Sequence, residues 1–291
     1  MAGEDGEILV LKIRQEIVIL RLDMTELTYI WHDCFVVRTH GAVLIFDYWR
    51  DASTAGAKPV DESPRFLDDI EADTPVYVFV SHRHKDHFNK AIFRWGERFR
   101  DIHFIISHDT AKFIRYMLRP EGTYAGYKPN PSMVTEMKPG NVYKDRLLRV
   151  DAFNSTDTGN SYLVTIGGKR LFHAGDLNVW VWKDEATRAQ IAAAMRDYCS
   201  ILDDIQRVTK GESIDLVMFP VDSRLGRDYW EGAAVFMYRI PVRVFVPMHF
   251  CLAETPELAE QRLDDACRFA DYAPEGAFCV ALQRPYSSLM F

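Results

Sequence analysis

Three histidines and one aspartate fall within six residues, His82-Arg83-His84-Lys85-Asp86-His87. Imidazole nitrogens and carboxylate oxygens are ligands suited to zinc, iron or manganese. A single buried histidine is usually a satisfied core residue, but three polar rings and an acid crowded together gain nothing from packing alone. The segment follows Val76-Tyr77-Val78-Phe79-Val80, an uninterrupted apolar run that predicts a strand buried on both faces. In an extended chain His82 and His84 project to the same side and can hold one cation between two imidazoles. Asp86 and His87 lie just beyond, where the chain must turn, and can serve a second.

The elements that must position these residues alternate between strand-like and helical patterns, which predicts an α/β protein. Strands are expected at Cys34–Arg38, Val43–Asp47, Val76–Val80, His103–Ser107, Leu147–Phe153, Tyr162–Ile166, Arg170–His173, Leu216–Pro220, Val242–Pro247 and Phe278–Leu282. Helices are expected at Lys90–Phe99, Thr110–Leu118, Asp184–Val208, Trp230–Tyr238 and Pro256–Tyr272. In the third of these, Ile191, Met195, Tyr198, Ile201 and Ile205 form one apolar stripe at spacings of three and four. Thr255 before Pro256 reads as an N-cap followed by proline at the first helical position. Two hairpins share a pattern of apolar strand, glycine turn, apolar strand and acid. One runs from Phe35 to Asp47, the other from Tyr162 to Asp176, as a duplicated half-domain would.

Residues 1–23 read as an N-terminal extension, either an extra strand or disordered, and 24–291 as one domain without an internal linker. The 291 residues are 48% hydrophobic and 26% charged, an ordinary globular balance with ample material for a core. A net charge of -7 argues against a broad nucleic-acid footprint. No run is long enough to span a bilayer, and Ile8-Leu9-Val10-Leu11 is too short for a signal-peptide core. Five irregularly spaced cysteines, with no C-x-x-C pair, fit reduced thiols and a cytoplasmic location.

His82-Arg83-His84-Lys85-Asp86-His87 resembles the H-x-H-x-D-H motif of the metallo-β-lactamase superfamily. Phe172-His173-Ala174-Gly175-Asp176 is similar to that family's strand ending in a metal-bridging aspartate. Val246-Pro247-Met248-His249-Phe250 is similar to its last ligand segment, and Asp47 to the acid that closes its first hairpin. The resemblance spans Met24 to Phe291 and implies a four-layer α/β/β/α sandwich with metals at one edge between two sheets. It implies one or two divalent ions, with zinc first and manganese or iron as alternatives. His82 and His84 would bind the first ion, Asp86, His87 and His249 the second, and Asp176 would bridge them. The implied chemistry is hydrolysis by a metal-bound hydroxide, with Asp86 orienting it as the catalytic residue. No G-x-S-x-G nucleophile elbow competes with that reading.

The sequence departs from the family at one ligand. The first ion ordinarily has a third histidine, yet none occurs between His108 and His173. Asn154 falls at the strand end in question. Either this segment is only a turn and the first ion has fewer protein ligands, or an oxygen ligand replaces the histidine; Asp157, close by, is then the better ligand because a carboxylate offsets metal charge. Ser155-Thr156-Asp157-Thr158-Gly159 with His173-Ala174-Gly175-Asp176 most resembles the branch around L-ascorbate-6-phosphate lactonase. His32 is a lining or loop residue, His173 a supporting or core residue, Arg224 a surface or anion-binding residue, and Trp180 and Trp182 either wall the pocket or pack against a helix. The expected function is a metal-dependent hydrolase of a small ester, lactone or phosphoester. Its substrate is a small molecule, an anionic one included, with no nucleic acid or membrane partner and room for a homo-oligomer. The alternatives are a nuclease or phosphodiesterase, and a non-hydrolytic metal-binding or redox protein.

Overall fold

A computed structural model describes residues 24–50, 64–119, 121–123 and 129–291. The expectation for residues 1–23 lies outside this range. In chain order the strands and helices are β1 (Glu26–Trp31), β2 (Cys34–Thr39), β3 (Ala42–Phe46), β4 (Val76–Val80), β5 (Ile102–Ser107), α1 (His108–Ile114), β6 (Val134–Met137), β7 (Val142–Lys144), β8 (Leu148–Asn154), β9 (Asn160–Ile166), β10 (Lys169–His173), α2 (Arg188–Thr209), β11 (Ile214–Pro220), α3 (Glu231–Arg239), β12 (Val242–Met248), α4 (Pro256–Arg268), β13 (Phe278–Cys279) and β14 (Ser288–Met290).

The strands form two mixed sheets. The first is ordered β14-β1-β2-β3-β4-β5-β6 and the second β13-β12-β11-β10-β9-β8-β7. Both repeat one plan. β1, β2 and β3 pair antiparallel, then β4, β5 and β6 continue in parallel. β8, β9 and β10 do the same before β11, β12 and β13. Asp47 and Asp176 thus follow equivalent strands, as the matched hairpins suggest. The hairpin tips are alike as well. His40-Gly41 and Gly167-Gly168 are two-residue turns with positive φ at both positions, the geometry that suits the twist of a tight hairpin. Gly167 is required for a second reason, because a Cβ there would lie 2.0 Å from the His40 ring.

Alternation along β3 and β4 sorts the core. Leu44, Phe46, Tyr77 and Phe79 join the layer between the sheets, while Val43, Ile45, Val76, Val78 and Val80 pack outward. That outer face is covered by Ile92, Phe93 and Trp95 and by Ala111 and Ile114 of α1. On the second sheet Tyr198, Ile201, Leu202 and Ile205 of α2 and Phe236 of α3 belong to the continuous core. The result is the expected α/β/β/α sandwich.

Several boundaries differ from the sequence expectation. The helix expected from Asp184 begins at Arg188, because Thr187 and Gln190 form a reciprocal capping box that fixes its start. Lys90–Glu97 is a 3-10 helix rather than an α-helix. The C-terminal helix becomes a 3-10 turn at Phe269–Tyr272, and the strand expected through Leu282 ends at Cys279. Short β6, β7 and β14 carry mixed polar sequence and leave no alternation to read. Thr255 caps α4 as expected, accepting from Leu258 N. No helix among the described residues is long and apolar enough to cross a membrane.

Candidate metal centre

The polar cluster gathers where strands of both sheets end. β4 delivers Ser81, His82, His84, Asp86 and His87; β3 delivers Asp47. β10, β11 and β12 deliver Asp176, Asp222 and His249 from the second sheet. The tip between β1 and β2 adds His32 and Asp33. Parallel strand ends are where α/β sheets collect ligands, since the loops leaving them diverge around a crevice. Three non-glycine residues here hold left-handed backbone: His32 at φ +57°, Asp47 at +44° and His249 at +68°. Such strain persists only where the surrounding structure imposes it, and it concentrates at functional sites.

A layer of hydrogen bonds fixes which nitrogen of each ring is free. The buried Asp47 carboxylate accepts from Ser81 N at 2.7 Å and Ser81 Oγ at 2.5 Å, and pairs with His87 Nδ1 at 2.8 Å. Because Ser81 Oγ gives its hydrogen to Asp47, it accepts from His82 Nδ1 at 2.9 Å. Asp222 receives His249 Nδ1 at 2.8 Å. In neutral rings these bonds place the hydrogen on Nδ1 and leave the Nε2 lone pairs of His82, His87 and His249 for a cation.

Those Nε2 atoms converge. His82 Nε2 lies 3.2 Å from Asp176 Oδ2, His87 Nε2 3.1 Å from Asp176 Oδ1, and His249 Nε2 3.4 Å from the same Oδ1. His82 Nε2, His87 Nε2 and Asp176 Oδ1 are all buried without a hydrogen-bond partner. Buried polar atoms are ordinarily satisfied, so three orphans facing one another fit a divalent cation. His82, His87 and Asp176 form one possible ligand group, and His84, Asp157 and Asp176 a second. The remaining groups are His32, Asp86 and His249, and Asp33, His87 and His249.

Without a cation the site is an array of imidazolium and carboxylate. Burial pushes the Asp176 carboxyl up, but the charges of His87 and His249 prevail and hold it well below the usual carboxylate range. Burial pushes His249 down, yet Asp33, Asp176 and Asp222 raise it to about 9. His87 is likewise raised, against burial, by Asp176 and Asp33. Burial pushes Asp33 up to about 7 although His249 and His87 oppose it. Metal binding must therefore displace protons from rings that the carboxylates hold charged.

The structure brings His82, His84, Asp86, His87, Asp176 and His249 to one place, with Asp157 Oδ2 at 3.8 Å from His84 Nδ1. Asn154 is an exposed residue at the end of β8. His32, a candidate for the lining, is fully buried within the cluster, its ring centroid 4.4 Å from that of His249. His173 is buried beneath it. Its Nδ1 accepts from Gly175 N, and its Nε2 donates to the Asp33 carbonyl at 2.9 Å. Arg224 is not a free surface residue: it pairs with Asp222 and reaches His249 Nδ1 at 3.2 Å. Trp180 packs 5.3 Å from the His249 ring and donates to the Asp176 carbonyl. Sequence reasoning missed Asp33 as a site residue, and it missed Ser81 and Asp222. Only the strained turn and tertiary contacts reveal them.

A cavity of about 330 Å³ opens over the cluster, lined by Asp86, Asp157, Asp176, Trp180, Trp182 and Arg224 among others. A larger cleft of about 530 Å³ at the outer edge of the first sheet, around Arg38, His40 and Asp69, holds none of these ligand groups.

Residues 26–193, more than half of the chain, match the β-lactamase superfamily domain, and the chain belongs to that superfamily. No curated protein matches the sequence. Among solved structures, Igni18, described as a novel metallo hydrolase from the archaeon Ignicoccus hospitalis, is 17% identical with a TM-score of 0.58. The match covers 92% of this chain and 98% of that one. CmlA, a diiron β-hydroxylase from Streptomyces venezuelae, is 13% identical with a TM-score of 0.59, covering 92% of this chain and 54% of that one. The metallo-β-lactamase fold protein YhfI from Bacillus subtilis is 10% identical at a TM-score of 0.53, over 92% and 100% of the two chains. At such identities the likeness establishes the fold, which is the metallo-β-lactamase fold.

Proposed function

We propose that this chain is a hydrolase that holds one or two divalent cations and acts on a small ester, lactone or phosphoester. The observation that carries the reading is the set of buried orphan atoms, His82 Nε2, His87 Nε2 and Asp176 Oδ1, turned toward one another. His82, His84 and Asp157 would hold a first cation and Asp86, His87 and His249 a second, with Asp176, which the His82 and His87 rings both face, available to either. When bound, the ions would act as Lewis acids and supply a nucleophile from water at neutral pH. Asp86, about a quarter exposed and lining the cavity, would orient that water. Zinc is the first choice, with manganese or iron next because Asp157 hardens the ligand set.

The cavity argues for a small substrate. Its volume suits a single small molecule. The net charge of -7 disfavours a broad nucleic-acid footprint. Trp180 and Trp182 offer an apolar face, and Arg224, partly exposed beside them, can meet an anionic group. Within the superfamily, Ser155-Thr156-Asp157-Thr158-Gly159 favours the L-ascorbate-6-phosphate lactonase-like branch. The test is titration of metal-stripped protein with zinc and manganese, followed by a panel of lactones and phosphoesters. Two equivalents should bind, and His82→Ala with His84→Ala should cut bound metal by at least half. Asp157→Ala should weaken one equivalent while Asn154→Ala leaves both intact. A protein that binds no divalent cation sinks the proposal.

A further inference from the structure

The tip between β1 and β2 carries two polar residues whose burial no local role explains. His32 and Asp33 are fully buried. Both Asp33 carboxylate oxygens lack a hydrogen-bond partner, and so does His32 Nε2. A carboxylate away from water that accepts no hydrogen bond and faces only two imidazole rings is costly to bury. The turn is nevertheless built to present it. Trp31 pairs with Cys34, so His32 and Asp33 form a two-residue tip, and His32 takes the positive φ that such a turn usually gives to glycine. Tyr29 Oη accepts from His32 N at 2.8 Å, and His173 anchors the Asp33 carbonyl from the second sheet.

These anchors aim Asp33 at the cluster. Its Oδ2 lies 3.3 Å from His87 Nε2, and Asp33, His87 and His249 offer donor atoms all within 4.8 Å of one another. Two ligands 2.0–2.3 Å from one ion lie at most about 4.6 Å apart, so the spacing is close to what a single ion spans.

We propose that Asp33 is itself a ligand of the second cation, joining His87 and His249. This rests on the reading above that those two rings face a cation. Asp33, Asp86, Asp157 and Asp176 then supply four carboxylates, whose charge matches that of two divalent ions. The centre trades the absent histidine at its first position for an oxygen ligand at its second, which shifts its preference from zinc toward manganese or iron. His32 has a separate part. Its Nδ1 accepts from Cys251 N at 3.4 Å, so in the neutral ring the hydrogen sits on Nε2. That atom is 3.3 Å from Asp33 Oδ2 and 3.8 Å from Asp86 Oδ2. His32 is a positioning residue for both carboxylates.

The experiment titrates metal-stripped protein with zinc and with manganese against a chromophoric chelator, comparing the unaltered chain with Asp33→Asn and Asp33→Ser. The unaltered chain should bind two equivalents. Each variant should keep one equivalent and bind the other at least tenfold more weakly, with manganese losing more than zinc. Thermal unfolding of the metal-stripped proteins supplies the second readout. The variants should unfold cooperatively at a temperature close to that of the unaltered chain, because relief of the buried carboxylate offsets the lost pairing with His32 and His87. Unchanged affinity for both equivalents overturns the proposal but leaves the hydrolase reading standing. Metal-stripped variants that melt lower or fail to fold overturn it as well, since Asp33 would then be structural. An unaltered chain that binds no cation overturns both.

Discussion

Asp47→Asn separates the two things Asp47 does. The carboxylate accepts from Ser81 N and Ser81 Oγ and pairs with His87 Nδ1, at 2.7, 2.5 and 2.8 Å. Asparagine fills the same space, and its carbonyl can keep the bond from Ser81 N. Its amide then points N–H groups at two other donors, Ser81 Oγ and His87 Nδ1. The serine hydroxyl can rotate and the charged His87 ring can give up its Nδ1 hydrogen while keeping the one on Nε2, so the metal-free protein should lose only about 1–3 kcal/mol. A hydrogen on Nε2 removes the lone pair that faces Asp176. Restoring it costs a donor-donor conflict, so cation affinity should fall roughly 10–100-fold. Asp47→Ala abandons the buried His87 and Ser81 donors altogether and should cost about 3–5 kcal/mol. Urea unfolding of metal-stripped protein reads the first quantity, and chelator competition reads the second. If Asp47→Asn binds zinc or manganese as tightly as the unaltered chain, the tautomer argument is wrong and Asp47 is only a structural support.

Gly159 has φ +79°, and a Cβ there would lie 2.1 Å from the Ser81 carbonyl and 2.5 Å from His82 Cβ. Gly159→Ala should cost about 2–5 kcal/mol from backbone strain and overpacking, visible as a melting temperature several degrees lower; an unchanged melting point contradicts it. His249 in the metal-free fold is raised to about 9 from an ordinary 6.5. A raised histidine stabilises the fold fully below 6.5 and loses that contribution as pH climbs through 9. Metal-stripped protein should therefore weaken across this window, by roughly 3 kcal/mol at most, while cation affinity rises as protons leave. Equal urea midpoints at pH 6.5 and 9 in the presence of chelator would refute the assignment.

His82, His84, Asp86 and His87 were legible because their chemistry is packed into one local spacing. Asp176 and His249 were legible because apolar strands lead directly to them, and the order of those strands fixes where they meet. Asp33 was not, since aspartate in a two-residue turn is ordinary turn chemistry. Its inward aim depends on the His32 backbone and on His173 from the other sheet. Asp222 was hidden likewise. It caps the short 3-10 turn at Ser223–Leu225, a local duty that masks its contact with His249. The start of α2 shows the opposite failure: Thr187 and Gln190 spell a capping box, but Asp184-Glu185-Ala186 also suits a first helical turn and invited an earlier start.

Because the cluster straddles the sandwich, neither half of the chain contains it. The first sheet brings His82, His84, Asp86 and His87, and the second brings Asp157, Asp176 and His249. A cation seated between them would tie residues far apart in sequence, much as a cross-link does, so its departure and the parting of the sheets would be linked events. β14 pairs with β1 from the opposite end of the described chain, which makes the first sheet equally dependent on distant segments. Assembly ruled by such long-range pairing is slow, and an emerging chain exposes His82 and His84 well before Asp176 and His249 exist to complete their surroundings. Metal captured that early would be held by a fragment of the site and easily exchanged. On the proposed reading, the identity of the ion would then be decided after the sheets have closed, by the finished cage rather than by whichever cation meets the nascent histidines first.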